Sequence, residues 1–217
     1  MHQNSRFQEN SLELQHEHMR KNPFATVISM GSEGIVVNHL PLVLSDSKTG
    51  KGTLQGHVAG ANTFWRDFDQ TIDVLAVFHG VDHYITPTYY PSKAKHDKVV
   101  PTWNYAVVHA SGPLRITQDK HWLRKHLHAL TDSHERENDV PWSVNDAPQS
   151  FIDMQLRGII GLEISISKIV GAMKMSQNKS EQDSAGVAQG LRAKGSPHGR
   201  EMAEIIEKNL KSAARSC

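Results

Sequence analysis

Along the chain the apolar positions change period several times, and each change marks an element. Leu12, His16 and Met19 fall near one helical face, Asn10 stands at a cap position with Glu13 three residues on, and Pro23 ends the run; a short helix is predicted over residues 10–20. Residues 24–30 are then a β-branched apolar run, 31–34 a turn and 35–44 a second extended run. A polar, Gly-containing link (45–52) leads to a third run at 53–58. This is the pattern of consecutive antiparallel hairpins.

Residues 62–67 read as a short helical connection, and the almost wholly apolar run 72–78 as a strand buried on both faces. A fifth extended segment covers 103–111, and Gly112-Pro113 bends it into 114–116. Asp119 caps a helix in which Leu123, Leu127, Leu130 and His134 repeat at helical spacing. Residues 149–157 form a second short helix behind Pro148, and 159–173 a single last strand. Many strands, then helices, then one strand point to a β-barrel with helices outside, an α+β chain that is mainly β, rather than to alternating βαβ units. Beyond residue 176 the chain turns polar and small. Ser180-Glu181-Gln182-Asp183 opens a helix, Gly195-Ser196-Pro197 breaks it, and 201–214 is amphipathic with Met202, Ile205, Ile206 and Leu210 on one stripe. The expected organisation is one domain over 1–217 with a helical extension from about residue 180.

Composition narrows the function classes. Twenty-four Lys+Arg against 23 Asp+Glu leave a net charge of +1, which argues against holding nucleic acid by bulk phosphate neutralisation. The one cysteine, Cys217, excludes an intrachain disulfide and fits a reducing compartment. No apolar run reaches membrane-spanning length, and the opening residues lack the apolar core of a signal peptide, so a cytoplasmic protein is expected. The 14 histidines do not converge on a metal: His16 and His18 lie on different helical faces, and His121, His126 and His128 lack the i, i+4 spacing. No nucleophile elbow or Gly-x-Gly-x-x-Gly loop occurs.

Three segments carry candidate chemistry. Residues 80–101 resist assignment, and a structureless loop of that length is uncommon. All four tyrosines (Tyr84, Tyr89, Tyr90, Tyr105) and Trp103 lie in or beside it, with Pro87, Pro91 and Pro101, and Ser92-Lys93 at its middle offers a hydroxyl and an ammonium to a phosphate. A ligand site and a plug for one end of the barrel explain it equally. Lys174-Met175-Ser176-Gln177-Asn178 places donors at a strand end, which also suits a solvated strand end with a helix cap. Asn38-His39-Leu40-Pro41 and Gly56-His57-Val58-Ala59-Gly60-Ala61-Asn62 interrupt apolar strands with polar residues and glycines that admit a guest close to the main chain.

These segments, together with Tyr84-Ile85-Thr86-Pro87, Tyr90-Pro91-Ser92-Lys93, Val100-Pro101-Thr102-Trp103-Asn104-Tyr105, Asp146-Ala147-Pro148 and Gly186-Val187-Ala188-Gln189-Gly190-Leu191, resemble the PaiB-like family of FMN-binding negative transcriptional regulators over about residues 7–203. The resemblance implies a split β-barrel of the kind seen in pyridoxamine phosphate oxidase-like proteins, a homodimer with flavin at the subunit interface, and repression of extracellular protease and sporulation genes. DNA is a partner only by this resemblance, since no helix-turn-helix is visible. The cofactor-contacting candidates are Asn38, His39, His57, Asn62, Tyr84, Ser92, Lys93, Thr102, Trp103, Asn104, Lys174, Ser176, Gln177 and Asn178. Trp103 or a tyrosine is expected to stack on the flavin ring, with Ser92, Lys93, Lys174 and Ser176 near the phosphate. The alternative is an FMN-dependent oxidoreductase or a haem-handling enzyme on the same barrel, for which His39, His57, His79, His83 and His109 are potential ligands. The chain departs from the family pattern at Gly60, where an Arg is common, at Thr63, where a Pro is common, and at Ser184, again an Arg position. Loss of an arginine from a phosphate contact removes about 1.5–3 kcal/mol, so weakened FMN binding is expected.

Overall fold

A computed structural model describes residues 4–45 and 50–215. Residues 46–49, half of the polar link before the third strand, the first three residues, and Ser216 with Cys217 lie outside them. In chain order the elements are β1 (Gln8–Glu9), α1 (Leu12–Lys21), β2 (Phe24–Gly31), β3 (Gly34–Pro41), β4 (Val43–Ser45), β5 (Thr53–Ala59), β6 (Val74–Ile85), α2 (Lys93–His96), β7 (Thr102–Gly112), β8 (Leu114–Thr117), α3 (Lys120–Glu135), α4 (Gln149–Leu156), β9 (Ile159–Ser165), β10 (Lys168–Lys174), α5 (Glu181–Lys194) and α6 (Pro197–Arg215). The strands form two sheets, with orders β1-β10-β7-β6-β2-β3 and β4-β5-β9-β8.

The backbone groups into two compact units. One holds the described residues of Leu12–Phe78 and His109–Ile169, the other those of Met1–Ser11, His79–Val108 and Val170–Cys217. In the first unit the 24–41 hairpin forms as its pattern requires. Phe24 pairs with Pro41 and Gly31 with Gly34, and β2 also pairs with the start of β6. Ala25, Val27, Val74, Ala76 and Phe78 are buried, while Phe24, Met30, Ile35 and Val37 point outward. The second sheet of this unit pairs β5 with β9 over Thr53↔Ser165 to Ala59↔Ile159. Against it lies a cluster of Leu123, Val144, Ile152 and Leu156 from α3, α4 and the loop between them. Asp119 caps α3 as the spacing predicts, its Oδ1 accepting from His121 N–H at 2.8 Å. The core of the other unit joins Val81, Ile85, Tyr90, Ala106 and Met175 to Val187, Leu191, Met202 and Ile206 of α5 and α6.

Three expectations change. The run 159–173 is two strands, because Ile166 N–H donates to Gly52 O and Ser167 N–H to Ser111 O, which turns the backbone between β9 and β10. The run 35–44 is also divided: Leu42 N–H leaves the ladder for Pro23 O, separating β3 from β4. The segment 80–101 is not structureless, since β6 continues to Ile85 with Val81 and Ile85 buried, and a 3-10 turn (Pro87–Tyr89) and α2 follow.

Candidate functional site

The tyrosine-rich segment does two jobs. Tyr90 is buried in the core of its unit, and Tyr89 lies on α5, where a Cβ at Gly190 would overlap its ring and one at Gly186 its carbonyl oxygen. The Gly-x-x-x-Gly spacing of α5 is therefore a seat for Tyr89. Ser92 N–H donates to Asp183 Oδ1 at 3.0 Å. Burial alone would raise the Asp183 carboxyl, but the Ser92 N–H and hydroxyl, the Ser180 hydroxyl and nearby Lys179 outweigh it and hold its pKa below the ordinary value. The middle of the loop is thus anchored packing, with Ser92 engaged by a carboxylate and Lys93 exposed.

The ends of the same segment face outward. Tyr84 and Trp103 are 43% and 54% exposed, and their rings meet edge-on with centroids 6.1 Å apart. They line a cavity of about 540 Å³ with Asp82, His83, Lys194, Ser196, Pro197 and His198. His83 Nδ1 lies 2.7 Å from Tyr84 O. A carbonyl oxygen only accepts, so this nitrogen carries the proton and Nε2 is left to accept from the Ser196 hydroxyl at 3.4 Å. Lys194, Ser196 and His198 were missed as site residues, because Gly195-Ser196-Pro197 reads only as a helix break; no local pattern brings it beside Tyr84.

Beyond β7 the polar candidates separate into buried braces and one cation. Asn104 is buried, its Nδ2 donating to Ser176 Oγ at 2.8 Å while its Oδ1 has no partner among the described residues. Ser176 sits at φ +64°, and its carbonyl accepts from Ser184 Oγ at 3.0 Å. Ser184 is thereby part of the turn that shapes this strand end. Gln177 spends its side chain on Met175 N–H and Met173 O, and Asn178 is exposed. The Lys174 ammonium donates to Thr102 Oγ1 and lies 5.8 Å over the Phe7 ring. Burial, and then the charge of Lys179, lower its pKa. Beside it is a smaller cavity of about 190 Å³ lined by Asn4, Phe7, Gln8, Tyr105, Gly171 and Ala172.

In the other unit, Asn62 Nδ2 donates to Asn38 Oδ1 at 2.8 Å, and Asn62 Oδ1 caps the turn Thr63–Trp65 through Phe64 N–H at 2.9 Å. His39 bonds Thr26 Oγ1 at 3.1 Å and stacks on Phe24. Gly60 donates its N–H to Gly158 O at 2.7 Å and accepts from Trp65 Nε1 at 3.2 Å, and the guanidinium of Arg66 covers the Trp65 ring at 4.4 Å. His57 is turned to His126 of α3, a partner that sequence spacing did not suggest. Among the described residues no group of three or more His, Cys, Asp or Glu side chains is placed to hold a metal ion, and no helix is long and apolar enough to cross a membrane.

Residues 1–168 match the family described as "Putative FMN-binding domain". The chain is 32% identical over 193 residues to the protease synthase and sporulation protein PAI 2 of Bacillus subtilis, covering 89% of this chain and 90% of that protein. The chain belongs to this FMN-binding, PaiB-like family. It is also 34% identical over 202 residues to an uncharacterized Emericella nidulans protein, AN0679, covering 78% of this chain and 80% of that one. The fold is shared with solved structures at low identity. One is the FAD and heme binding protein from Mycobacterium smegmatis (TM-score 0.55, 13% identity, 77% of this chain and 73% of that one). Another is the flavocytochrome Anf3 from Azotobacter vinelandii (TM-score 0.51, 12% identity, 77% and 69%). The α+β split-barrel fold class expected for the PaiB-like family is the one observed.

Proposed function

We propose that this protein is a homodimer that binds FMN and acts as a flavin-dependent sensor or PaiB-like regulator. The observation that carries the reading is the Tyr84–Trp103 cavity: two exposed rings beside Lys194 and His198, at a volume in the range of small-molecule sites. This donor set suits a flat, phosphorylated ligand, because the rings offer stacking surface and the Lys194 ammonium, with Asp82 the one carboxylate of the lining, offers an anion a charge-assisted bond. Trp103 and Tyr84 contact the flavin ring, which supplies redox chemistry when bound. Thr102 with Lys174, whose ammonium has no carboxylate partner among the described residues, is the second cationic position available to the phosphate. Lys93 and Asn178 remain exposed polar candidates, as does His39 in the other unit, where Asn38 and Asn62 are half-buried and bonded to each other. Ser92, Asn104, Ser176 and Gln177 act by holding the backbone of the cavity's own unit, since their side-chain or backbone bonds are already made, and His57 is engaged by His126 in the other unit.

The dimer reading is supported by the outward face of β2 and β3. Phe24 and Ile35 are 66% and 70% exposed, and Met30 stands opposite Ile35 in the register. Near the turn Met30, Ile35 and Val37 stand exposed side by side, with Phe24 beyond the polar Thr26–His39 pair, and this apolar patch suits a second copy of the same chain. The regulatory role is supported by the relationship to the sporulation protein PAI 2. A second reading, an FMN-dependent oxidoreductase or haem-handling protein on this fold, is favoured by the flavin- and haem-containing proteins that share it.

An absorbance spectrum between 350 and 500 nm, a region ordinary side chains leave blank, tests the proposal on freshly purified protein with and without added FMN. A flavin band with micromolar affinity is expected, and its absence under both conditions overturns the reading. Flavin-dependent NAD(P)H consumption, or a Soret band on adding haem, would decide for the oxidoreductase or haem reading.

A further inference from the structure

Strand β5 and helix α3 are joined by two imidazoles. His57 Nδ1 and His126 Nε2 are 3.0 Å apart, and the rings meet edge-on with centroids 5.2 Å apart. His126 is 1% exposed, and its other nitrogen, Nδ1, is buried without a hydrogen-bond partner among the described residues. The His126 ring stacks on Trp122 at 5.3 Å and 19°. Trp122 in turn lies on Gly161 of β9, the residue opposite His57 in the sheet, where any Cβ would overlap the indole. Gly161 therefore makes the space that lets α3 bring its histidine down onto β5.

Burial decides where the protons sit. A neutral pair needs one donor and one acceptor between Nδ1 of His57 and Nε2 of His126. Were His57 the donor, the proton of His126 would sit on Nδ1, a buried N–H with nothing to receive it. Orphaned buried donors are rarer than under-used acceptors. His126 therefore donates from Nε2 and His57 accepts at Nδ1, with the His57 proton on its other nitrogen. An added proton then has no good place. On His57 Nδ1 it sets two N–H groups against each other, and on His126 Nδ1 it puts charge in a dry site with no acceptor.

Among the described residues the surroundings offer no free counter-charge. Apart from His57, β5 carries no titratable residue, and β4 carries none. His39 of β3 is bonded to Thr26. On β9, Glu163 is engaged by Arg115 of β8 at 2.8 Å, by Gln55 at 3.2 Å and by Trp122 Nε1 at 3.3 Å. On α4, Asp153 is paired with Arg124, and Asp146, in the turn Val144–Asp146, accepts from Ser143 N–H at 2.8 Å. His121 and Lys125, which flank the contact on α3, are exposed.

We propose that the His57–His126 pair is a latch that holds α3 on β5 when neutral and opens when the pair takes up one proton. Burial, with the charge of His57 adding to it, pushes His126 down to about 4, and burial also lowers His57. In an opened or unfolded state the same imidazoles titrate near 6.5. The closed state is therefore fully stable above pH 6.5 and loses stability as the pH falls from there toward 4, below which the loss levels off. For His126 alone the closed-to-open ratio at pH 5 is about 30-fold lower than at pH 8.

The latch does not depend on the flavin reading, and its test reads the helix and not the cofactor. Hydrogen exchange of the α3 amides, corrected for intrinsic rate, is measured on the full chain at pH 8, 6.5 and 5. Protection is expected to fall at least tenfold at pH 5, and His126→Phe and His57→Phe should each flatten that dependence. Imidazole ¹⁵N spectra of the unmutated protein, which need no variant to fold, should place the His126 proton on Nε2. Protection unchanged between pH 8 and 5, a pH dependence that survives both substitutions, or a His126 proton on Nδ1 overturns the proposal.

Discussion

Tyr89 rests on Gly190 so closely that a methyl group at Gly190 would occupy the space of the phenol ring. The contact fastens the turn after β6 to α5 and leaves the neighbouring Tyr84 exposed beside Trp103. Replacing Gly190 with Ala should destabilise the protein by about 1–3 kcal/mol through overpacking. Helix propensity alone would stabilise it by about 1 kcal/mol. Urea unfolding of Gly190→Ala decides the sign; a stabilised variant would mean that the Tyr89 ring moves aside without penalty.

Trp103 is 54% exposed, so its loss should leave the fold intact. Stacking of a flat heterocycle on an aromatic side chain contributes about 1–3 kcal/mol. Trp103→Ala is accordingly expected to raise the FMN dissociation constant roughly 5- to 150-fold while the melting temperature stays put. Flavin fluorescence titration and a thermal melt, run together, separate the two effects, and unchanged affinity would move the flavin ring away from this wall.

The apolar outward face of β2 and β3 predicts a second effect on assembly. Ile35→Glu places a carboxylate at the turn end of that face, beside Met30, where burial against another chain would strip it of water. Light scattering after size exclusion should show the unmutated chain as a dimer and the Ile35→Glu chain as a monomer. A dimer that survives this substitution would place the subunit contact elsewhere.

Glu163 gives a separate pH signature at lower pH than the histidine latch. Burial tends to raise its carboxyl, but bonds from Arg115, Gln55 and Trp122, with the charge of Arg115, hold it below the usual 4.5. Its folded value is lower than its unfolded one, so its contribution is complete above about pH 4.5 and is lost as the pH falls through the folded value. Glu163→Gln should remove that part of the acid limb while leaving the decline that begins near pH 6.5. Denaturant midpoints measured from pH 8 to pH 3 distinguish the two limbs.

Local chemistry was enough to read the hairpin that begins at Phe24 and the caps at Asp119 and Ser180, and the resemblance of its motifs was enough to give the family. Period, caps and turns act over a few residues, and a string of motifs in order survives in sequence whatever the coordinates. The split between β9 and β10 was not legible, because both halves are equally apolar and only the bonds to Gly52 and Ser111 part them. Nor could the sequence say which tyrosines are packed and which face a cavity. Tyr89 is seated by glycines about a hundred positions downstream, and Tyr84 meets a helix break of similar separation. His57 stood out as a polar residue in an apolar strand, yet its partner lies 69 residues away on a helix. Alternation along a strand tells which side a residue faces; what waits on that side is set by non-local pairing, and that only the tertiary structure decided.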